Sequence, residues 1–223
     1  MANEEHLTKL KQGVEVWNQW REENPDTKID LRKADLVGGR FNGINFFAAD
    51  LSDADLNGSY LSNANLSKAQ LRNSNFANVD LRDAYLCNAN LTKADLNNAK
   101  LMNTDFINQW DDEPAILTGA NLVSADLTKT DLTKTNLSGA NFSRAVLKEA
   151  KLSFATCVDP WEDKPTNFSG ANLSEADLKG MNLRKTILRE ADLVEANLHE
   201  ANLEETVLVS ANLERTDFCR ANL

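Results

Sequence analysis

The feature of this sequence that most constrains its fold is a large apolar residue at every fifth position. Leu or Phe fills each such position from Leu31 to Phe106, and the spacing returns from Leu117 to Cys157 and again from Phe168. The residue two places earlier is mostly Ala, Ser or Thr, and the residue directly before it is mostly Asp or Asn. A period of five fits neither the helical period of about 3.6 nor the two-residue alternation of a flat strand.

This spacing predicts a coil made of short straight sides joined by corners. If positions two apart both point inward, the small residue and the large residue of each pentapeptide share the interior, and the Asp or Asn between them faces water. Several sides then close one coil, and successive coils stack on each other. A small inner residue is needed because a close-packed interior leaves little room beside a ring of Leu.

The pentapeptides follow the pattern A-(D/N)-L-x-x, as in "ADLSDADL", "ANLSKAQL" and "ANLHEANL", and they closely resemble the pentapeptide-repeat family. The resemblance covers residues 31 to 223. It implies a right-handed quadrilateral β-helix with four pentapeptides in each coil. The expected fold class is therefore an all-β solenoid, a right-handed quadrilateral parallel β-helix of about nine to ten coils with an N-terminal α-helical cap, forming a rod about 45 Å long.

Residues 4 to 23 predict one amphipathic helix that covers the first coil. Its apolar residues fall at steps of three and four, and they are Leu7, Leu10, Val14 and Trp17. Asn3 is placed to cap its start, and Pro25 follows its end. A docking helix for a partner is the alternative interpretation. The chain thus divides into residues 1–28, a capping helix and linker, and residues 29–223, the repeat region, interrupted by loops near 107–115 and 158–166.

Two similar segments, "NQWDDEP" and "DPWEDKP", interrupt the repeat. We expect each to replace two sides, with its Trp in the place of a missing central Leu and its acids in an outward loop, so that the loops leave opposite faces of the rod. The alternative is a recognition loop. The candidate loop residues are Trp110, Asp111, Asp112, Glu113, Trp161, Glu162 and Asp163.

Apolar residues at outward positions indicate a protein-contact surface along one edge of the first coils, because clusters of this kind often mark interfaces. The candidates are Phe47, Tyr60, Tyr85, Cys87, Met102 and Ile107. Trp110 or part of the N-terminal segment could instead fold over them.

Catalytic and metal sites are not indicated by the sequence. His6 and His199 have no second His or Cys at ligand spacing, and the three cysteines form no CxxC pair. Cys157 fills an interior position, whereas Cys87 and Cys219 follow central residues and should be accessible thiols. The Asp rows lack the Gly-rich turns of calcium-binding β-rolls. We therefore expect no enzyme activity, no metal and no cofactor.

The formal net charge of -10 argues against direct nucleic-acid binding, which requires clustered Lys and Arg. The first residues include two acids, and no run approaches the ~18 apolar residues of a membrane span. A cytoplasmic protein without membrane contact is expected. The chain finishes on a central Leu, so the last coil could pair end to end with a second copy.

The favoured function is a non-catalytic protein–protein interaction scaffold or regulatory module with an unidentified protein partner. The family resemblance supplies an alternative, since some pentapeptide-repeat proteins imitate duplex DNA and bind DNA gyrase as inhibitors or protectors of the topoisomerase. Such a mimic needs a continuous acidic stripe, whereas residues 31 to 110 contain equal numbers of acidic and basic residues.

Overall fold

A computed structural model describes residues 1–107, 114–158 and 164–223 of the chain. Two helices come first, α1 (Glu4–Leu10) and α2 (Val14–Glu23). The rest consists of single-residue parallel β-bridges, from Asp30 paired with Asp50 to Asn202 paired with Asn222. The described chain is therefore a β-helix of parallel rungs with a helical segment at its N-terminal end.

Each pentapeptide forms one extended side and one turn. In the first repeat the Ala34 amide donates to the Leu31 carbonyl at 3.1 Å, which closes a four-residue turn with Lys33 at φ 59. The same corner position has positive φ along the rod and is often Asn, Asp or Gly, the residues that adopt this conformation most easily. The Asp50 carboxylate accepts from the Ser52 amide at 3.0 Å, and Asp or Asn repeats this bond in other pentapeptides.

Neighbouring coils are held together by backbone hydrogen bonds between residues about twenty apart. The Leu31 amide donates to Asp50 at 2.8 Å, and the Asp50 amide donates back to Ile29 at 2.9 Å. Stacked Leu and Phe side chains fill the interior, and Leu51 and Leu127 are fully buried. Inward Thr hydroxyls are satisfied by carbonyls, as Thr104 donates to Leu81 at 2.9 Å. The interior is thus apolar and most of its inward hydroxyls are paired, whereas the buried Ser59 and Ser138 hydroxyls have no hydrogen-bond partner among the described residues.

The two interruptions add residues without removing a side. Asn90 pairs with Ile116, and Asn141 pairs with Asn167, so the usual spacing of 20 becomes 26. Asp105 and Ile116 occupy consecutive rows, as Tyr85 and Asn90 do one coil earlier. Our expectation that each interruption replaces two sides is wrong, because the described residues before and after each interruption occupy consecutive rows of bridges.

The expected exit of the loops from opposite faces is wrong for the same reason. The first interruption precedes Ile116 and the second follows Thr156, and both residues belong to one row of bridges. The two interruptions of the repeat therefore fall between rows at the two corners that flank a single side. The loop residues Trp110, Asp111, Asp112, Glu113, Trp161, Glu162 and Asp163 lie outside the described residues.

The N-terminal segment forms two helices where the sequence pattern predicted one. The break falls at Gly13, whose φ of 106 interrupts the helix and places it as the N-cap of α2. The predicted cap of the first helix is confirmed, since the Asn3 side chain accepts from the amides of Glu5 and His6. Neither helix has the length or the apolar character needed to cross a lipid bilayer, within the residues that are described.

Helix α2 binds the exposed backbone of the first coil. The side-chain Oδ1 of Asn18 accepts from the Asn45 amide at 2.8 Å, and the Trp17 indole donates to the Asn45 carbonyl at 2.8 Å. Arg21 donates to the Phe47 carbonyl at 3.0 Å. Trp17 is fully buried, and its ring meets Phe46 edge to face at 5.7 Å. The helix thus covers the apolar end and supplies the hydrogen bonds that a preceding coil would make.

Replacing Leu127 by Asp should abolish cooperative folding, because it buries an unpaired carboxylate at a cost above about 4 kcal/mol. Val146→Asp is the matched control, since its carbonyl accepts from the Leu127 amide and Asp is common at its repeat position. Thermal melts followed by circular dichroism should show no transition for Leu127→Asp and a near-native one for Val146→Asp. A cooperative native-like melt for Leu127→Asp contradicts the prediction.

Candidate protein-interaction groove

One row of bridges carries the side chains of the candidate site. Asn45, Asn65, Tyr85, Asp105 and Asp131 are stacked in successive coils. They share a row because one coil takes 20 residues here and 26 across the first interruption. A second line of side chains follows two positions later in each pentapeptide, and it consists of Phe47, Ser67, Cys87 and Ile107.

These two lines enclose a surface groove of ≈ 440 Å³, which we call the lateral groove. Large side chains stand at its ends, with Phe47 towards the cap and Ile107 towards the middle of the rod, and the smaller Ser67 and Cys87 lie between them. The depression forms because two small residues lie between two large ones along a regular stack. The lining residues are Phe47, Asn65, Ser67, Lys68, Tyr85, Cys87, Asn88, Asp105, Ile107 and Asp131.

The structure brings together four of the six residues proposed for the contact surface. Phe47, Tyr85, Cys87 and Ile107 line the groove, and Phe47 and Tyr85 are 39% and 49% exposed. Tyr60 does not join them, because it pairs with Arg40 and Asp80 in the preceding row of bridges.

Met102 also lies apart from the lateral groove. It follows a central Leu of the preceding side, and its carbonyl accepts from the Asp83 amide at 3.1 Å. The side chain of Met102 is exposed, as is that of Tyr60. The groove is therefore narrower than the surface that the sequence suggested.

A negative charge lies at the inner end of the groove. Partial burial, and then repulsion from Asp131, raise the pKa of the Asp105 carboxyl, while Lys151 opposes the shift. Lys151 lies 3.6 Å from the Asp131 carboxylate, so its charge is shared with that group. No hydrogen bond or ion pair to the Asp105 carboxylate is found among the described residues.

Cys87 and Cys157 lie in environments that do not activate a thiol. Burial, and then the charge of Asp105, raise the pKa of the Cys87 thiol, although a hydrogen bond with Ser67 works in the opposite sense. Burial raises the pKa of Cys157 to about 12. Nucleophilic and redox-active thiols require the opposite shift. Cys87 is half-buried rather than openly accessible, whereas Cys219 is exposed.

The two histidines have structural contacts. The His6 ring is buried, lies 5.7 Å from Trp20, and accepts at Nδ1 from the Asp30 amide at 3.1 Å. His199 lies 3.3 Å from the Glu200 carboxylate at the surface. Within residues 1–107, 114–158 and 164–223, no group of three or more His, Cys, Asp or Glu is arranged to hold a metal ion.

Sequence reasoning missed the polar members of the groove. Asp105 looked like any other Asp before a central residue, and Lys68 like an ordinary corner residue. Asp131 was missed because the interruption was thought to replace two sides, which would place this residue on another face. Counting a six-residue insertion between Phe106 and Leu117 would have put Asp131 above Asp105.

Comparison with known proteins identifies the repeat. The family model described as pentapeptide repeats matches eight copies, over residues 27–63, 44–83, 69–108, 125–156, 166–204 and 186–223. Proteins of this family fold as right-handed β-helices. A search of curated proteins returned no significant match.

Three solved structures illustrate the likeness. HetL, a pentapeptide repeat protein involved in heterocyst differentiation regulation from the cyanobacterium Nostoc sp. strain PCC 7120, is 28% identical with a TM-score of 0.53, covering 85% of this chain and 76% of HetL. Trypsin-treated QnrB1, a plasmid-mediated fluoroquinolone resistance protein, is 23% identical with a TM-score of 0.45, covering 88% and 86%. Rfr23 from the cyanobacterium Cyanothece 51142 is 26% identical with a TM-score of 0.23, covering 73% and 90%.

Replacing Asp105 by Asn should stabilise the protein at neutral pH. A carboxyl with a raised pKa in the folded state costs stability as pH rises from its unfolded value of about 3.9 through the folded value. The gain should be at most about 1 kcal/mol, because solvent screens a carboxylate this exposed, and it should vanish below about pH 4.

The control for Asp105→Asn is Asp55→Asn, where Asn keeps the acceptor for the Asn57 amide that Asp55 provides at 3.0 Å. Urea unfolding at pH 3.5 and pH 7 measures both variants. A loss of stability in Asp105→Asn at pH 7, or an equal gain in the control, contradicts the argument.

Proposed function

The chain belongs to the pentapeptide-repeat family, and from this premise we propose that it is a non-catalytic protein–protein interaction scaffold that docks a partner in the lateral groove. Pentapeptide-repeat proteins are generally non-catalytic scaffolds. The 28% identity with HetL, a protein involved in regulation of differentiation, supports a regulatory role for the partner complex. We place this role in the cytoplasm.

The observation that carries the proposal is an open groove with apolar side chains at its ends and polar side chains between them, on a repetitive polar rod. Phe47, Tyr85 and Ile107 stand at outward positions that hold polar residues in most other pentapeptides. Exposed aromatic residues beside a depression become buried when a partner binds, and such anchors contribute much of the binding energy of protein interfaces. The stacked coils beneath them are rigid, so little conformational entropy is lost when a partner binds.

The charge of the groove specifies the partner further. The Asp105 carboxylate adjoins apolar side chains of the groove and lies beside Asp131, and partial burial and this second negative charge raise its pKa. A cationic group from a partner would oppose this shift. We infer that the docking segment has an apolar side chain for the space between Phe47 and Ile107 and a Lys or Arg directed towards Asp105.

We also propose the shape of each coil, the number of coils and the bounds of the capping and repeat regions. Bridges between residues 20 apart support a quadrilateral coil of four pentapeptides, and their succession supports about nine to ten coils. The end of α2 at Glu23 and the first bridge at Asp30 support a capping region of residues 1–28 and a repeat region of residues 29–223. Recognition by the two interrupting loops and end-to-end pairing of the last coil both stay predictions.

Tyr85→Asp, alone or with Phe47→Asp, should release the partner. Tyr60→Asp is the matched control, since both tyrosines are 49% exposed, both hold a repeat position where Asp is common, and each pairs with an Asp of the next coil. Affinity capture from an extract of the source cells, read by mass spectrometry, compares the three proteins with the wild type. The groove proposal is overturned if the double variant Tyr85→Asp with Phe47→Asp still captures the same partners as the wild type. It is also overturned if Tyr60→Asp loses these partners to the same extent.

A DNA-mimicking inhibitor or protector of DNA gyrase or topoisomerase is the second candidate. Its specific support is the net charge of -10. Much of the acidity towards the C-terminal coils is paired, as Arg184 with Glu204 and Glu205, and Arg215 with Glu195. These pairs place positive charges among the acidic side chains, whereas duplex DNA presents an unbroken line of negative charge.

A gyrase supercoiling assay separates the two functions. If the protein is an interaction scaffold, stoichiometric amounts should leave supercoiling unchanged, with or without a gyrase poison. Inhibition or protection that survives Tyr85→Asp would favour the mimic, because a mimic acts through its charged faces rather than through the lateral groove.

A further inference from the structure

The helical segment completes part of the first coil and leaves the rest open. Inside the rod, the residue before each central Leu directs its amide and carbonyl to the coil below. Asp55 is an example, since its amide donates to Ala34 at 2.9 Å and its carbonyl accepts from Leu36 at 2.8 Å. The residues in this position of the first coil are Asp30, Asp35, Arg40 and Asn45.

Two of the four positions receive substitutes for the missing coil. At Asp30 the amide donates to His6, and the carbonyl accepts from the Asn3 amide at 3.0 Å. At Asn45 the amide donates to Asn18, and the carbonyl accepts from the Trp17 indole. These bonds show what each position requires, namely one acceptor and one donor.

The other two positions have neither. Within the described residues, no protein group pairs with the backbone amide or carbonyl of Asp35 or of Arg40. Both residues are exposed, and they lie on two consecutive sides of the first coil, joined by one corner. We call residues 35–41 the open edge.

The interior is also uncovered at the open edge. The central residues from Leu31 to Leu203 are almost completely buried, except that Leu36 is 8% exposed and Phe41 is only partly buried. A cavity of ≈ 220 Å³ lies there, lined by Leu7, Leu10, Lys11, Asp35, Leu36, Val37, Gly39 and Phe41. Val37 at its rim is 56% exposed. The missing contacts are therefore apolar as well as polar.

We propose that the open edge is a second binding site, which takes an extended peptide segment of a partner protein by β-strand addition. An extended backbone supplies an acceptor and a donor at the same residue spacing as the unpaired groups of Asp35 and Arg40, which a helix cannot do because its own backbone groups are bonded internally. A large apolar side chain of the segment fills the cavity beside Leu36 and Phe41.

The register of the bound segment follows from the rod itself. Leu36 donates to Asp55, and Asp55 donates to Ala34, so a parallel segment below would donate to the Asp35 carbonyl and accept from the Asp35 amide. The same pair of bonds recurs at Arg40, one corner later. The site thus selects a segment with two extended sides and one turn, and the lateral groove, in another row, takes no part.

Hydrogen exchange tests the premise in the free protein. The Asp30 and Asn45 amides should exchange slowly and the Asp35 and Arg40 amides rapidly, although all four hold the same repeat position. The probe for binding is a synthetic peptide of residues 51–63, acetylated and amidated, because this segment has the geometry of a lower coil. It should protect the Asp35 and Arg40 amides saturably.

Two changes remove single hydrogen bonds. Arg40→Pro deletes an amide that has no partner in the free protein, and Pro is accepted at such an edge, so stability should hold while peptide affinity falls about tenfold or more. Methylating the Leu56 amide of the peptide should weaken its binding to the wild-type protein by a similar factor. This second test leaves the protein unchanged, so it does not depend on whether Arg40→Pro folds normally. Tyr85→Asp should bind the peptide normally.

Slow exchange at Asp35 and Arg40 in the free protein overturns the proposal. So does the absence of saturable protection, or equal affinity after either change. Concentration-dependent protection of the open edge without peptide also overturns it, since a second copy of the chain would then be the occupant.

Discussion

The structure depends on backbone pairing between consecutive coils. The backbone of each side donates hydrogen bonds to the coil above and accepts hydrogen bonds from it, as between residues 29–31 and Asp50. The place of a side chain on the surface is therefore set by the position of its residue within the coil. The Leu and Phe stack supplies the burial, but it would tolerate small rotations, whereas the bridges do not. This register makes residues 20 apart in sequence neighbours, so side chains that are distant in the sequence lie side by side on the protein surface.

Much of the fold could be predicted from this register, and the errors lie where the spacing changes. The period of five was sufficient to place Leu127 in the interior and Tyr85 at the surface, because each depends on its own repeat. It could not show how the chain crosses from Phe106 to Leu117, since an insertion into one corner and a replacement of two sides both fit the eleven-residue spacing between these central residues. Bridges across the interruption, such as that of Asn90 with Ile116, distinguish the two arrangements.

The candidate site was half predictable for the same reason. Phe47 and Tyr85 break a local rule and stand out from sequence alone, whereas Asp105 and Asp131 follow the usual pattern and acquire meaning from being stacked beside them. Helix α1 ends early because Gly13 adopts φ 106, a backbone choice that competes with the apolar spacing of Leu10 and Val14. The stacking of Asp105 on Asp131 depends on tertiary structure, and the helix break depends on the backbone conformation of Gly13. Neither alters the apolar pattern of the sequence, so the pattern could not predict them.

The same constraint that builds the rod creates an end that another structure must cover. A coil with no coil below it has unpaired amides and carbonyls at every side, and helices can meet these groups only with side chains of suitable length. Asn18, Trp17 and His6 do so at Asn45 and Asp30, whereas no group among the described residues bonds the backbone of Asp35 or Arg40. An extended backbone is the element that meets such groups directly, which gives a β-helix two kinds of binding surface, one made of side chains along its faces and one made of backbone at its end.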